Sequence, residues 1–250
     1  MDLNTSIAVG SAAHVAYAAI IHSHKEVESI ELCRYRSPPP LQSRIELTDR
    51  ERDLVANAVV KRQDGVTSFW QGVFASALEL GWCSQAVVEA ALFHNGPGDI
   101  QSIPVSSFGE SLEVIFDPDE RNVGLSSKLT LRDGTSRHLA MLDFRCEVGE
   151  ASLAILEKIC DALYEGGYVV VDSGHSYHAC GMRIVTPSKR IEFLSKALIF
   201  SPIIDVAYLS HQLRQEFSTI RISRGGSSDL LPKIALSKLQ EISLASPLFA

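Results

Sequence analysis

From Lys128 the chain reads Lys-Leu-Thr-Leu-Arg, then Asp133-Gly134, then an apolar run from His138 to Phe144. An Asp-Gly pair between two such runs is a strong local signal for a β-hairpin, because the pair tolerates the positive φ angles of a type I′ turn. An antiparallel sheet is therefore expected here, and the segments that follow must pack on it. Ser152 to Glu165 is amphipathic, with Leu153, Leu156, Ile159, Cys160 and Leu163 on one side and Gly166-Gly167 to end it. Tyr168 to Val171 reads as a buried strand, Ser173-Gly174 as a turn, and His178 to Val185 as a second strand. Thr186-Pro187 then offers a helix cap and a proline at the first helical position. After Pro202 come Ile203-Ile204-Asp205, a helix over about 207 to 216 and a strand over 218 to 223. The order ββαββααβ predicts an α+β fold, a mostly antiparallel sheet with helices packed on one face.

The residues before this region read differently. Ser37-Pro38-Pro39-Pro40 is a rigid break, after which Thr48 caps a helix running to about Gln63 and ending near Gly65. Ser68 to Leu80 closes at Gly81, and Ser84 to Phe93 closes at Asn95-Gly96-Pro97-Gly98. The alanine-rich stretch Met1 to Ile21 carries Asp2 where a signal peptide wants positive charge, so it is read as a folded element. The expected organisation is a helical N-terminal region over 1–105 and an α+β domain over 106–250. No stretch approaches 18 unbroken apolar residues, which predicts no membrane span. The five cysteines, 33, 83, 146, 160 and 180, form no C-x-x-C pair, which fits a reducing, cytoplasmic setting better than a zinc ribbon or a disulfide framework.

Charge narrows the search for a site. The formal net charge of −7 argues against a simple basic nucleic-acid coat. Its distribution argues otherwise, because residues 1–172 carry the whole deficit and residues 173–250 are +4. That last third places Arg214, Arg221 and Arg224 within eleven positions, a local field suited to phosphate. Three further features fall at strand ends. Asp143 is a carboxylate inside an apolar strand, and it needs a partner or a metal. Arg145 shares its face if the strand continues, as does Glu147. The turn Asp172-Ser173-Gly174-His175-Ser176-Tyr177-His178 concentrates imidazoles and hydroxyls, and Asp205 follows Ile203-Ile204 just where a helix N-cap is also expected.

In this order, Asp143, Ser176-Tyr177-His178 and Ile204-Asp205 resemble the three motifs of the archaeo-eukaryotic primase (primase-polymerase) superfamily, particularly bacterial primase 1D-like proteins. The resemblance covers roughly residues 120 to 225. It implies a primase-like, RRM-like sheet and a nucleotidyltransferase acting on nucleic acid, with nucleoside triphosphate as the second substrate. It further implies that Asp143 and Asp205 hold Mg²⁺ or Mn²⁺, that His178 touches the incoming triphosphate, and that Ser176 orients it. Arg221, with Arg214 and Arg224, supplies phosphate contacts. The pattern departs at Arg145, where a second acidic residue is usual. Two alternatives follow: a catalytically degenerate domain that binds nucleotide or nucleic acid, or an interaction subunit whose helical N-terminal region docks a protein partner.

Overall fold

A computed structural model of the chain describes residues 6–36, 46–63, 68–93, 96–108, 122–201, 203–225 and 229–239. The expected break at 37–40 and the residues Gly65, Asn95 and Pro202 lie outside this set. By packing, the chain divides into one unit of Met1–Arg36 with Pro97–Ala250 and a second of Ser37–Gly96. This is not the division at residue 105 that the sequence predicts. The reason is that the N-terminal residues supply a helix and two strands to the sheet itself.

The larger unit holds α1 (Ala13–Ser23), β1 (Val27–Arg34), β2 (Asp99–Pro104), β3 (Val123–Leu131), β4 (Ser136–Asp143), β5 (Tyr168–Asp172), β6 (Tyr177–Val185), β7 (Thr219–Arg221) and β8 (Lys233–Lys238). Its remaining helices are α5 (Glu150–Leu163), α6 (Pro187–Ala197) and α7 (Val206–Gln215). The strands run β2-β1-β3-β4-β6-β5-β8, all paired antiparallel, and β7 pairs with β3. The expected hairpin is β3–β4, closed by Gly134 N–H to Leu131 O at 2.9 Å. Its turn is not type I′, since Gly134 has φ 81° but Asp133 is not at positive φ. Asp133 instead accepts from the Thr135 amide and hydroxyl at 2.9 and 2.7 Å.

Alternation along β4 separates two cores. Leu139 and Met141 join Tyr17, Ile20 and Ile21 of α1 on one face, with Leu32, Leu125, Val169, Val171 and Cys180. Ala140, Leu142 and Phe144 join Leu156 and Ile159 of α5, Phe193 and Leu194 of α6 and Leu209 of α7 on the other. The three helices expected on one face are there, and α1 covers the opposite face.

Strand β3 forks. Its residues 128–130 pair with 136–138 of β4, whereas Gly124, Leu125 and Ser126 pair with Arg221, Ile220 and Thr219 of β7. A three-residue strand needs more than its own ladder, and buried polar groups supply it. Ser127 N–H donates to Ser218 O at 2.7 Å, Ser218 N–H to Ser127 Oγ at 2.8 Å, and Thr219 N–H to Gln212 Oε1 at 2.9 Å. Arg190 of α6, only 2% exposed, donates to Gln212 O at 2.6 Å. These bonds hold β7 at the fork beside the end of β4.

The smaller unit contains α2 (Asp49–Gln63), α3 (Phe69–Leu80) and α4 (Gln85–Ala91), close to the helices expected from their caps. Thr48 and Glu51 bond reciprocally, as do Ser68 and Gln71, each a capping box. Leu54, Ala58, Val73, Ala77 and Val87 form its core. Gly72 is needed there, because a Cβ on it would stand 2.9 Å from Ala58 O.

Candidate active site

Asp143 is the last residue of β4, directly opposite His178 of β6 in the antiparallel register. It continues the alternation of Leu139 and Met141, so the apolar stripe beneath α1 ends in a carboxylate at the mouth of the fork. Beyond it the chain leaves the sheet proper: Phe144 bridges Ile204, and Arg145 N–H donates to Ile203 O at 2.7 Å. The same short pairing brings Asp205 N–H to Asp143 O at 3.1 Å. The first and third motif residues are therefore backbone neighbours although 62 positions apart in the chain, and His178 completes the group from the other side.

Each side chain has a different setting. Asp143 keeps 29% of its side-chain surface, yet its Oδ1 is enclosed and accepts no hydrogen bond among the described residues. His178 Nε2 stands 3.3 Å from that oxygen. Burial first, and the Asp205 carboxylate second, push the Asp143 carboxyl up to about 8, with Arg221 pulling the other way. Burial, then the Arg221 charge, lowers the His178 imidazole to about 3. Both shifts run toward the uncharged forms, a neutral imidazole beside a protonated carboxyl, and so away from an ion pair. Asp205 is the N-cap of α7, its Oδ1 accepting from the amides of Ala207 at 2.8 Å and Tyr208 at 3.1 Å. Both readings of Asp205 are compatible, since a cap occupies one carboxylate oxygen and leaves the other.

Arg221 ends β7 and acts on Asp143 electrostatically. Its guanidinium donates to Ser173 O at 2.6 Å and Ser223 O at 2.7 Å, so it ties the turn between β5 and β6 to the strand beside the site. Its remaining N–H groups are available in number to a phosphate. The turn itself is built locally: Asp172 Oδ1 accepts from Gly174 N–H at 2.7 Å, and Ser176 O accepts from the Ser173 amide and hydroxyl, both at 2.9 Å. Gly174 needs its freedom there, at φ 98°. Ser176 is half-buried next to His178, whereas His175 is exposed.

Other expected residues fall elsewhere. Arg214 lies in the last turn of α7, roughly 13 Å along the helix from Asp205 at about 1.5 Å per residue. Arg224 is exposed in the turn after β7, at the same end of the sheet as the carboxylates. Glu147 lies past the end of β4 and is exposed, so the strand does not continue far enough for it to stand in for a second acidic residue. Tyr208, in the first turn of α7, is a residue that motif spacing does not reveal. Burial, with Asp143 next, raises its hydroxyl well above the usual range.

The donor set suits a hard divalent ion only in part. Two convergent carboxylates, one with an enclosed oxygen that lacks a hydrogen bond, are oxygen ligands of the kind Mg²⁺ and Mn²⁺ prefer. Among the described residues, however, no group of three His, Cys, Asp or Glu side chains could hold a metal. The arrangement fits an ion whose shell is completed by substrate phosphates and water, not a cage made by the protein alone. The five cysteines are free thiols. No helix among the described residues is long and apolar enough to cross a membrane.

Residues 110–230, just under half of the chain, match the family described as AEP-like, archaeo-eukaryotic primase 1D-like. The matched segment contains Asp143, His178, Asp205 and Arg221 and excludes α1, β1 and β2. No curated protein and no solved structure matches the chain.

Proposed function

We propose, from the primase-family match of residues 110–230 and the meeting of Asp143, His178 and Asp205 at one strand end, that the chain is a nucleotidyltransferase of the primase-polymerase type. The observation that carries the proposal is the Asp205 N–H to Asp143 O bond, which sets the two motif carboxylates side by side next to an imidazole. Asp143 and Asp205 would hold a divalent cation, which neutralises charge on a triphosphate and lowers the pKa of an attacking hydroxyl. The proton on Asp143 must leave as the ion arrives. His178, neutral and fixed in the sheet, donates a hydrogen bond to a phosphate oxygen without bringing a competing charge. Arg221 adds guanidinium donors, and Ser176 orients the triphosphate from the turn that Arg221 holds.

Arg145 favours a second reading, a domain that binds nucleotide or nucleic acid without chemistry, because it stands where a further acidic ligand is usual. Equilibrium binding of a fluorescent nucleoside triphosphate, with and without Mn²⁺, tests the first reading. Binding should require Mn²⁺ and weaken at least tenfold in Asp143→Ala and in His178→Ala. Metal-independent binding that survives Asp143→Ala would favour the second.

A further inference from the structure

Five elements meet beneath the fork in β3, and buried polar side chains join them. His138 Nδ1 of β4 lies 3.2 Å from Ser127 Oγ of β3, and the same oxygen accepts from Ser218 N–H at 2.8 Å. Arg190 of α6 reaches this group from the helical face. Its Nη2 donates to Gln212 O of α7 at 2.6 Å and lies 3.4 Å from Ser218 Oγ. Gln212 turns its own side chain to β7, where Oε1 accepts from Thr219 N–H at 2.9 Å. Arg190, Gln212, Ser218, Ser127 and His138 are all buried.

Stability alone does not account for a guanidinium here. Its Nε is enclosed without a hydrogen bond, and Glu216, the carboxylate that acts on it, is exposed. A buried charge without a close counter-ion is costly to desolvate, and a well-packed apolar side chain of similar volume is often as stabilising. Such a side chain cannot bond two elements at once. Gln212 O lies in the last turn of α7, where carbonyls lack helical partners and the helix dipole favours a cation. Ser218 stands just before β7. Arg190 therefore fixes the connection over 212–218 by which α7 leads into β7.

Both ends of the α7–β7 pair carry site residues. Asp205 at the start of α7 is held to β4 by its own amide bond to Asp143 O, which does not pass through the connection. Arg221 at the end of β7 is placed differently. Its strand pairs with β3 over three residues and is bonded to Val123 O just beyond them by Ile222 N–H, while its start depends on Ser127, Gln212 and Arg190. We infer that Arg190 is a positioning residue that sets the Arg221 guanidinium relative to the two carboxylates. It thereby controls how tightly a triphosphate binds beside the cation and leaves the cation's own affinity unchanged. The inference rests on the nucleotidyltransferase reading for its ligand, and on the bonds of Arg190 to α7 and β7 for its effect on Arg221.

Two substitutions test it. Arg190→Met removes both bonds and keeps an unbranched side chain, and Arg190→Lys keeps the charge without the planar fork. In Arg190→Met, Mn²⁺ affinity followed by electron paramagnetic resonance should match wild type. A fluorescent nucleoside triphosphate at saturating Mn²⁺ should bind about tenfold more weakly, the loss of one charge-assisted hydrogen bond. Arg190→Lys should fall between the two. Amide hydrogen exchange should rise over 218–221 and in the turn 173–176 that Arg221 holds, and stay unchanged in α5. Leu156→Ala, a core truncation on α5, lowers stability and should not separate the two affinities. If Arg190→Met does not fold, as judged by circular dichroism, Gln212→Leu cuts the bond to Thr219 N–H and should give the same split. A folded variant with wild-type triphosphate affinity and wild-type exchange overturns the inference, as does equal weakening of Mn²⁺ and triphosphate binding. Absence of Mn²⁺-dependent triphosphate binding by the wild type refutes the nucleotidyltransferase reading, and exchange then decides alone. A rise confined to the two segments supports the positioning of Arg221, and a uniform or absent rise overturns it.

Discussion

Asp205 performs two tasks that one pair of substitutions separates. Its Oδ1 caps α7 through the amides of Ala207 and Tyr208, and its charge helps to hold the neighbouring Asp143 carboxyl protonated. Asp205→Ala removes both tasks, and losing an Asp N-cap to Ala costs about 1 kcal/mol of stability. Asp205→Asn keeps an amide oxygen in the capping position and should cost only a few tenths, since Asn and Asp cap about equally well. Urea unfolding should therefore rank wild type close to Asp205→Asn and both above Asp205→Ala. Cation binding should follow charge instead. Both variants should weaken Mn²⁺ binding at least tenfold, about 1.4 kcal/mol, in a titration followed by electron paramagnetic resonance. The Asp143 carboxyl should also titrate lower in Asp205→Asn, because the second-largest influence raising it is gone. Wild-type Mn²⁺ affinity in Asp205→Asn would refute the metal-holding role and leave only the cap.

The pH dependence follows from the same pair. A carboxyl raised to about 8 in the folded chain keeps a proton that the unfolded chain has released from about pH 4 upward. This group therefore lowers stability as pH rises between those values, by no more than about 1.4 kcal/mol per pH unit. Urea midpoints at pH 6 and 8.5 should show wild type losing stability relative to Asp143→Asn, and Mn²⁺ binding should tighten over the same interval because the ion displaces the proton. Arg221→Lys keeps the charge, but an ammonium lacks the planar fork that reaches both Ser173 O and Ser223 O. Calorimetry should show weaker triphosphate binding in this variant than in wild type. Gly225→Ala should lower stability by about 1 to 3 kcal/mol in urea unfolding, given its φ of 142° and the clash with Asn122.

The parts of the fold that were legible in the sequence are those where a local rule and the tertiary environment agree. The β3–β4 hairpin and the Thr186-Pro187 start of α6 stand where the sequence places them, whereas α5 ends at Leu163 with an extended Tyr164 as its cap, before the Gly166-Gly167 stop is reached. Strands β1, β2 and β8 were not legible, for distinct reasons. The ladder of β1 with β3 shifts register between Val27 and Ser29 and again between Ile30 and Leu32, which breaks the period-two pattern. In β2 only Ile103 is buried, and in β8 only Ile234, so these edge strands carry almost no apolar signal. At the site, the order of Asp143, His178 and Asp205 was readable as motif spacing. The reach of Arg221 to Ser173, the support of β7 by buried Arg190, and the approach of Tyr208 were not. They depend on the fork in β3, which brings β7 beside β4 from across the chain.

Incorporation of labelled nucleotide into a primed or unprimed template with Mg²⁺ or Mn²⁺ tests the central reading most directly. The account predicts product with the wild-type chain and none with Asp143→Ala or Asp205→Ala, although Asp205→Ala loses only about 1 kcal/mol of stability. Incorporation that persists in both variants, or its absence from a folded wild-type chain on every template with either ion, would contradict it.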